Sequence, residues 1–220
     1  MDALEAMRTI GANRSYLPKD VPNEVIYDAV ESARFAPQGG NRQPVRLLVV
    51  RDRAKKERLA ELYMPWWKAY FDAAQGGTRN LGEYASARKA LMAANDFAEN
   101  LANHPLIIVV CARLDALHIT DLELDRPSVV GGASIYPLVQ NLCIALRVQG
   151  VATTITSLLC GSEPEVKELL EIPQGYLTAC HVVAGYPAKG FPKKLTRSPV
   201  EETTFVDTFG NSIAAPTATE

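Results

Sequence analysis

Ala33-Arg34-Phe35-Ala36-Pro37-Gln38-Gly39-Gly40-Asn41-Arg42-Gln43-Pro44, running on into Val45-Arg46-Leu47-Leu48-Val49-Val50, is the stretch whose reading decides the fold. A helix closes at its start, a polar loop bounded by two prolines fills its middle, and a buried strand leaves its end. Upstream, Val25/Ile26, Ala29/Val30 and Ala33 recur at helical spacing. Residues 22–36 therefore read as an amphipathic helix, with Pro22 tolerated in the first turn and Pro37 barring continuation. Val45 to Val50 is apolar and β-branched enough for a buried strand. The loop between them concentrates glycines and side-chain amides. Such a loop either offers backbone N–H, C=O and amide groups to a planar polar ligand or is a plain connection.

Working outward, Asp52 offers an N-cap to a charged helix expected to end before Pro65. From Tyr84 to Asn103, the residues Ala87, Leu91, Ala94, Ala98 and Leu101 form a second stripe, which leads through His104-Pro105 to a strand over Leu106 to Cys111. Ser134 is placed to cap a helix carrying Ile135, Leu138, Val139, Leu142, Ala145 and Leu146, with Pro137 in its first turn and Gly150 as its stop. A strand over Ala152 to Thr156 follows, then a short helix opened by the capping box Ser162-Glu163-Pro164-Glu165, then a strand over Leu177 to Gly185. The small, polar, aperiodic ending reads as a flexible tail over residues 211–220, leaving a single domain over 1–210. Imperfectly alternating helices and four or five strands imply an α/β sandwich with a mixed sheet, whose topology the pattern leaves open.

Composition narrows the function. The chain has 220 residues, 47% hydrophobic and 22% charged, with a formal charge of −2, as expected of one ordinary globular unit. Disorder and a nucleic-acid-sized basic field are disfavoured. The longest strongly apolar run, Leu106 to Ala112, is far too short to cross a bilayer. The start Met1-Asp2-Ala3-Leu4-Glu5 lacks the features of a secretory signal, so a cytoplasmic location is expected. Cys111, Cys143, Cys160 and Cys180 form no C-x-x-C pair and read as reduced core residues. No metal is expected. His104, His118 and His181 have no zinc spacing, and Asp121, Glu123 and Asp125 start like a calcium loop that Arg126 and Gly132 then break. Nucleophile elbow, phosphate loop and dinucleotide fingerprint are all missing.

What remains is positive charge at both ends. Arg8 and Arg14 near the start, with Lys193, Lys194 and Arg197 near the end, form a clamp for a dianionic phosphate if folding joins them, and scattered surface charge if it does not.

The order of these pieces resembles the nitroreductase family of FMN-dependent oxidoreductases. The resemblance begins in Met7-Arg8-Thr9-Ile10-Gly11-Ala12-Asn13-Arg14-Ser15-Tyr16 and Asp20-Val21-Pro22, and continues in the Ala33 to Pro44 stretch. It resumes in Gly132-Ala133-Ser134-Ile135-Tyr136-Pro137 with Gln140-Asn141-Leu142, and closes in Gly185-Tyr186-Pro187 and Arg197-Ser198-Pro199-Val200-Glu201-Glu202. Gly11 stands where many relatives carry arginine, and Gln38 where serine is usual.

The resemblance implies an α/β (α+β) sandwich with a mixed, mainly antiparallel sheet flanked by helices, in a domain-entwined homodimer. Two FMN sites would lie at its interface, each built from both chains. Arg14, Arg197 and Arg8 would hold the phosphate, with Ser15 beside them. Pro37, Gln38, Gly39, Asn41 and Gln43 would lie against the isoalloxazine or ribityl chain, and Thr154, Ile155 and Thr156 would face the ring's N5 edge.

The implied activity is ping-pong transfer of hydride from NADPH or NADH to a small electrophile such as a nitroaromatic, quinone or enone. The flavin carries the chemistry, so no catalytic side chain is expected. Trp66, Trp67, Tyr70 and Phe71 either cap a substrate pocket over the flavin or pack in the core or dimer interface. Three alternatives stay open: a flavin-sequestering protein with little turnover, a reductase or dehydrogenase using another donor such as a reduced deazaflavin, and an interaction module without cofactor. The expected partners are a small-molecule substrate and a second copy of the chain, with no nucleic acid and no membrane.

Overall fold

The computed structural model describes residues 1–75 and 85–214. Its helices are α1 (Ala3–Thr9), α2 (Asn23–Ala33), α3 (Arg53–Gln75), α4 (Ala85–Glu99), α5 (Tyr136–Val148), α6 (Glu163–Leu170) and α7 (Val200–Thr203). Its strands are β1 (Val45–Val50), β2 (Leu106–Arg113), β3 (Ala152–Thr156) and β4 (Tyr176–Gly185). They form one sheet in the order β1-β2-β4-β3.

The strands lie where the apolar runs put them, but the expected mixed sheet is antiparallel at every pairing among the described residues. The connections explain this. Two helices in succession, α3 and α4, return the chain to the end of the sheet it left, so β2 runs back along β1. A single crossover helix, α5, makes β3 parallel to β2, yet β4 lies between them and pairs antiparallel with both.

Burial on both faces accounts for the unbroken apolar run in β2. Leu106, Ile108, Val110 and Ala112 meet Ile26 and Ala29 of α2 and Leu138, Leu142 and Leu146 of α5. Ile107, Val109 and Cys111 meet Leu59, Tyr63 and Trp67 of α3, Phe97 and Ala98 of α4, and Val166 and Leu170 of α6. In α5 the apolar stripe spans a buried face, and Gly150 ends the turn after it in the left-handed region, at φ +78°. Tyr84 lies outside the described residues, as do residues 215–220 of the expected tail. Residues 211–214 fold back, with Phe205 and Ser212 forming an antiparallel bridge.

Three local signals give way to tertiary partners. α3 does not end before Pro65 but carries it as an interior residue. Burial of Tyr63 and Trp67 on either side outweighs the lost N–H, and Ser162 Oγ donates to Leu62 O, 3.3 Å away, in the turn that the proline disturbs. Ser134 does not cap α5. Its hydroxyl instead accepts from Gly39 N at 3.1 Å, and the helix is entered from a 3-10 turn over Val130–Ser134. The capping box at Ser162 does not form either. Ser162 Oγ is engaged by Leu62 O and by Trp66 Nε1, and Glu163 accepts from the backbone and hydroxyl of Thr178.

The loop after β2 is organised by Asp121. Its carboxylate accepts from Ser128 Oγ (2.7 Å), Arg126 Nη1 (2.7 Å) and Val129 N (3.2 Å). Ser128, with Arg126 and the Val129 N–H, holds the carboxyl down to about 2 from an ordinary 3.8, against the opposing effect of burial.

Two expectations follow. Leu142→Ala, at a fully buried position between the sheet and α2, lowers stability by about 2–5 kcal/mol, read as a fall in the urea midpoint at unchanged slope. Because the folded pKa of Asp121 is depressed, its stabilisation is complete above pH 4 and disappears as the pH falls towards 2. The gap in thermal midpoint between wild type and Asp121→Asn therefore closes over that window.

Candidate functional site

β3 is an edge strand, and a large cavity opens against it. The cavity has a volume of about 550 Å³, within the usual range of a small-molecule site. Thr154, Ile155 and Thr156 with Ser157 and Leu158 form one wall, Tyr63, Trp67 and Tyr70 of α3 a second, and Ala90, Leu91, Ala94 and Phe97 of α4 a third. Arg14 enters from the segment after α1.

The placement of Arg14 follows from hydrogen bonds that stitch residues 13–17 to the sheet. Asn13 N donates to Thr153 O (3.0 Å), Leu17 N to Tyr186 O (2.8 Å) and Ala188 N to Ser15 O (2.9 Å). The Tyr16 hydroxyl donates to Thr154 Oγ1 and to Val183 O, each at 3.1 Å, while Thr154 Oγ1 donates to Asn13 O. Thr154 therefore lines the cavity with its hydroxyl already committed, whereas Ile155, 46% exposed, stands open to solvent. Among the described residues the Arg14 guanidinium has no ion pair and no hydrogen bond. An uncompensated cation in an aromatic-walled cavity favours a ligand that carries or develops negative charge.

Of the aromatic run, Trp67 and Tyr70 line the cavity. Trp67 is buried and donates from Nε1 to Asn95 Oδ1 at 2.8 Å. Trp66 points elsewhere, 44% exposed and bonded to Ser162, and Phe71 packs against Trp67 in the core beneath α3.

The two basic ends do meet, though without Arg14. Arg8, Lys193, Lys194 and Arg197 line a second cavity of about 350 Å³ with Met7 and Leu195. None of these four cations has a carboxylate partner among the described residues, and Arg197 Nη1 donates only to Thr196 O. Leu195 and Pro192 close on the backbone beside this groove. A Cβ at Gly11 would lie 3.1 Å from each, which leaves no room for a longer side chain unless they move.

The Pro37 to Gln43 loop lines neither cavity. It is held in an unusual shape, with Gly40, Asn41 and Gln43 at φ +59°, +52° and +48°. For Gln43 that conformation costs about 1–3 kcal/mol, and such strain concentrates where loops bind ligands. Gln38 Oε1 is buried and has no hydrogen-bond partner among the described residues.

Other titratable groups are set aside by their surroundings. Burial pushes the Cys180 thiol up to about 12 and raises Cys111, Cys143 and Cys160 as well, so none is poised as a nucleophile. His181 is fully buried and its pKa is pushed down to about 4 by desolvation. His104 stacks on Phe97 and meets Tyr16 edge-on. Among the described residues no group of three or more histidines, cysteines or carboxylates is arranged to hold a metal ion, and no helix is long and apolar enough to cross a membrane.

Sequence reasoning missed Tyr63, Ser157, Leu158 and the α4 wall. A signal for Tyr63 was present: Tyr63, Trp67 and Tyr70 recur at i, i+4 and i+7 and share one helix face once Pro65 is not taken as a stop.

The family model described as "Nitroreductase family" matches residues 7–186. An "FMN reductase [NAD(P)H]" of Bacillus subtilis is 26% identical over 200 residues, 90% of this chain and 70% of that protein. A "Putative NADH dehydrogenase/NAD(P)H nitroreductase" of Methanothermobacter thermautotrophicus is 33% identical over 191 residues, 86% of this chain and 79% of that one. Among solved structures, the NADPH:FMN oxidoreductase of Vibrio harveyi complexed with NAD+ superposes with a TM-score of 0.68 at 16% identity, covering 95% of this chain and 78% of its own. A nitroreductase family protein of Clostridium difficile gives 0.65 at 19% identity, covering 95% and 100%. These last two likenesses establish the fold, and the family match over most of the chain establishes descent: this protein belongs to the nitroreductase family.

Proposed function

We propose that this chain is an FMN-dependent oxidoreductase that accepts hydride from NADPH or NADH and reduces a small electrophile such as a nitroaromatic, quinone or enone. The observation that carries the reading is the uncompensated Arg14 guanidinium inside an aromatic-walled cavity of about 550 Å³. The naming of the Bacillus subtilis and Methanothermobacter relatives as NAD(P)H-linked reductases supports it.

The residues present fit FMN. The Arg8, Lys193, Lys194 and Arg197 groove is a match for its dianionic phosphate. The β3 cavity offers flat apolar walls for a ring system, and Gln38 Oε1 is an acceptor without a donor. When bound, FMN supplies the hydride-accepting and hydride-donating ring. The other tasks fall to the protein. Trp67, Leu91 and Phe97 exclude water, and Arg14 stabilises negative charge that develops beside it. Ile155 and Tyr70, both exposed, stand where a nicotinamide and then an acceptor can enter the same site in turn. That sequential use of one face is the ping-pong order, and it needs no separate dinucleotide domain.

The site is completed by a second copy of the chain. The strained loop with Gln38, Gly39, Asn41 and Gln43 lines neither cavity of its own protomer, so its role at a flavin requires the partner's. Tyr27 and Phe35 at the loop's approach are 71% and 75% exposed, as expected of a face that another chain covers.

Analytical ultracentrifugation is expected to give twice the protomer mass of 24.0 kDa. FMN titrated into the dialysed protein is expected to bind one per chain, with Arg197→Ala weakening it by about 10- to 100-fold. Anaerobic addition of NADPH or NADH then bleaches the flavin bands. No FMN binding overturns the proposal, and a flavin that binds but bleaches with neither nicotinamide replaces it with sequestration or another electron donor.

A further inference from the structure

Two tyrosines flank β3, and their hydroxyls are held to very different degrees. Tyr16 gives its proton away from the cavity, to Thr154 Oγ1 and Val183 O, and Thr154 passes its own on to Asn13 O. Tyr63 is held far more loosely. Its oxygen lies 3.4 Å from Thr156 Oγ1, which Leu158 N approaches at 3.4 Å, and among the described residues it has no nearer hydrogen-bond partner.

So long a contact leaves the hydroxyl free to take a better partner. Tyr63 is 3% exposed, with its ring stacked on Trp67 (centroids 6.5 Å apart, planes 9° apart). The Thr156–Tyr63 contact lies beyond the usual O–H···O range of about 2.5–3.0 Å, so it satisfies the tyrosine poorly. Tyr63, Thr156 and Leu158 all line the cavity that Arg14 shares. Burial raises the pKa of the Tyr63 phenol, with Thr156 and Arg14 opposing, so the hydroxyl keeps its proton at neutral pH.

We propose that the Tyr63 hydroxyl donates a hydrogen bond to an electron-rich ring atom of the ligand in this cavity. Given the FMN binding proposed above, on which this inference rests, Tyr63 is a positioning residue that raises the flavin's potential. The reason is electrostatic. A donor fixed in a poorly solvated wall binds a ring more tightly as the ring gains negative charge, so it favours the reduced form over the oxidised one. Thr156, the one hydrogen-bonding neighbour of this hydroxyl among the described residues, helps to hold it in place.

The test compares wild type, Tyr63→Phe, Thr156→Val and Tyr16→Phe. The readouts are the FMN dissociation constant by fluorescence, the midpoint potential by anaerobic reductive titration against a reference dye, and the thermal midpoint. Tyr63→Phe is expected to lower the ratio of reduced to oxidised FMN affinity by about tenfold, a potential about 30 mV more negative for a two-electron couple. Thr156→Val moves the potential in the same direction by less. Tyr16→Phe lowers the thermal midpoint and leaves the potential unchanged, since that hydroxyl is engaged within the fold. An unchanged potential in Tyr63→Phe with FMN bound overturns the inference and leaves the proposed function standing. If Tyr63→Phe does not fold, an unchanged potential in Thr156→Val overturns it instead. Failure of the wild type to bind FMN overturns the proposed function, and this inference with it.

Discussion

Burial of β2 and β4 on both faces is the constraint on which the rest of the structure depends. Two central strands without a solvated face need helices on each side, and α2 with α5 and α3 with α4 and α6 supply them. Their backbone groups are taken up by the sheet and by side chains of the fold, as Thr178 N is by Glu163, which leaves few for a ligand. Only the edges remain. β3 is the edge at which a short strand leaves its outer backbone unpaired by the sheet, and the larger cavity forms there between α3 and α4.

The same constraint explains why the chemistry-bearing residues come from segments far apart in the chain. Residues 13–17 are bonded to β3 and to the chain just after β4, which carries Arg14 to the cavity and leaves Arg8 to meet Lys193, Lys194 and Arg197 in a separate groove. Tyr16 is the hinge pin of this arrangement. Its hydroxyl joins the N-terminal segment to β3 through Thr154 and to β4 through Val183. The same hydrogen bonds that hold the fold together therefore separate two cationic features that the sequence placed in one phosphate clamp.

Local signals were legible in proportion to how little they depended on distant partners. The β-branched runs at Val45–Val50 and Ala152–Thr156 became strands with the bounds their composition suggested, because burial of such runs has few alternatives. Capping and stop signals fared worse. Ser134 and Ser162 have hydroxyls that caps can use, but Gly39 and the Leu62–Trp66 turn lay closer and were already short of partners. Pro65 lost to the burial of Tyr63 and Trp67, a packing gain that no local propensity contains.

By itself, the sequence determined where the strands lie, the buried stripe of α5, the loop from Pro37 to Pro44 and the ordered motifs that mark the family. These depend on periodicity, turn chemistry and composition, all properties of neighbouring residues. Only the tertiary structure decided that every strand pairing among the described residues is antiparallel, that Trp67 and Tyr70 line the cavity while Trp66 and Phe71 do not, and that Tyr63 stands at its wall. The physical reason is that a side chain's surroundings are set by which elements pack against it. That is fixed by crossover connections and shared burial across the whole chain, and one stretch of residues does not encode it.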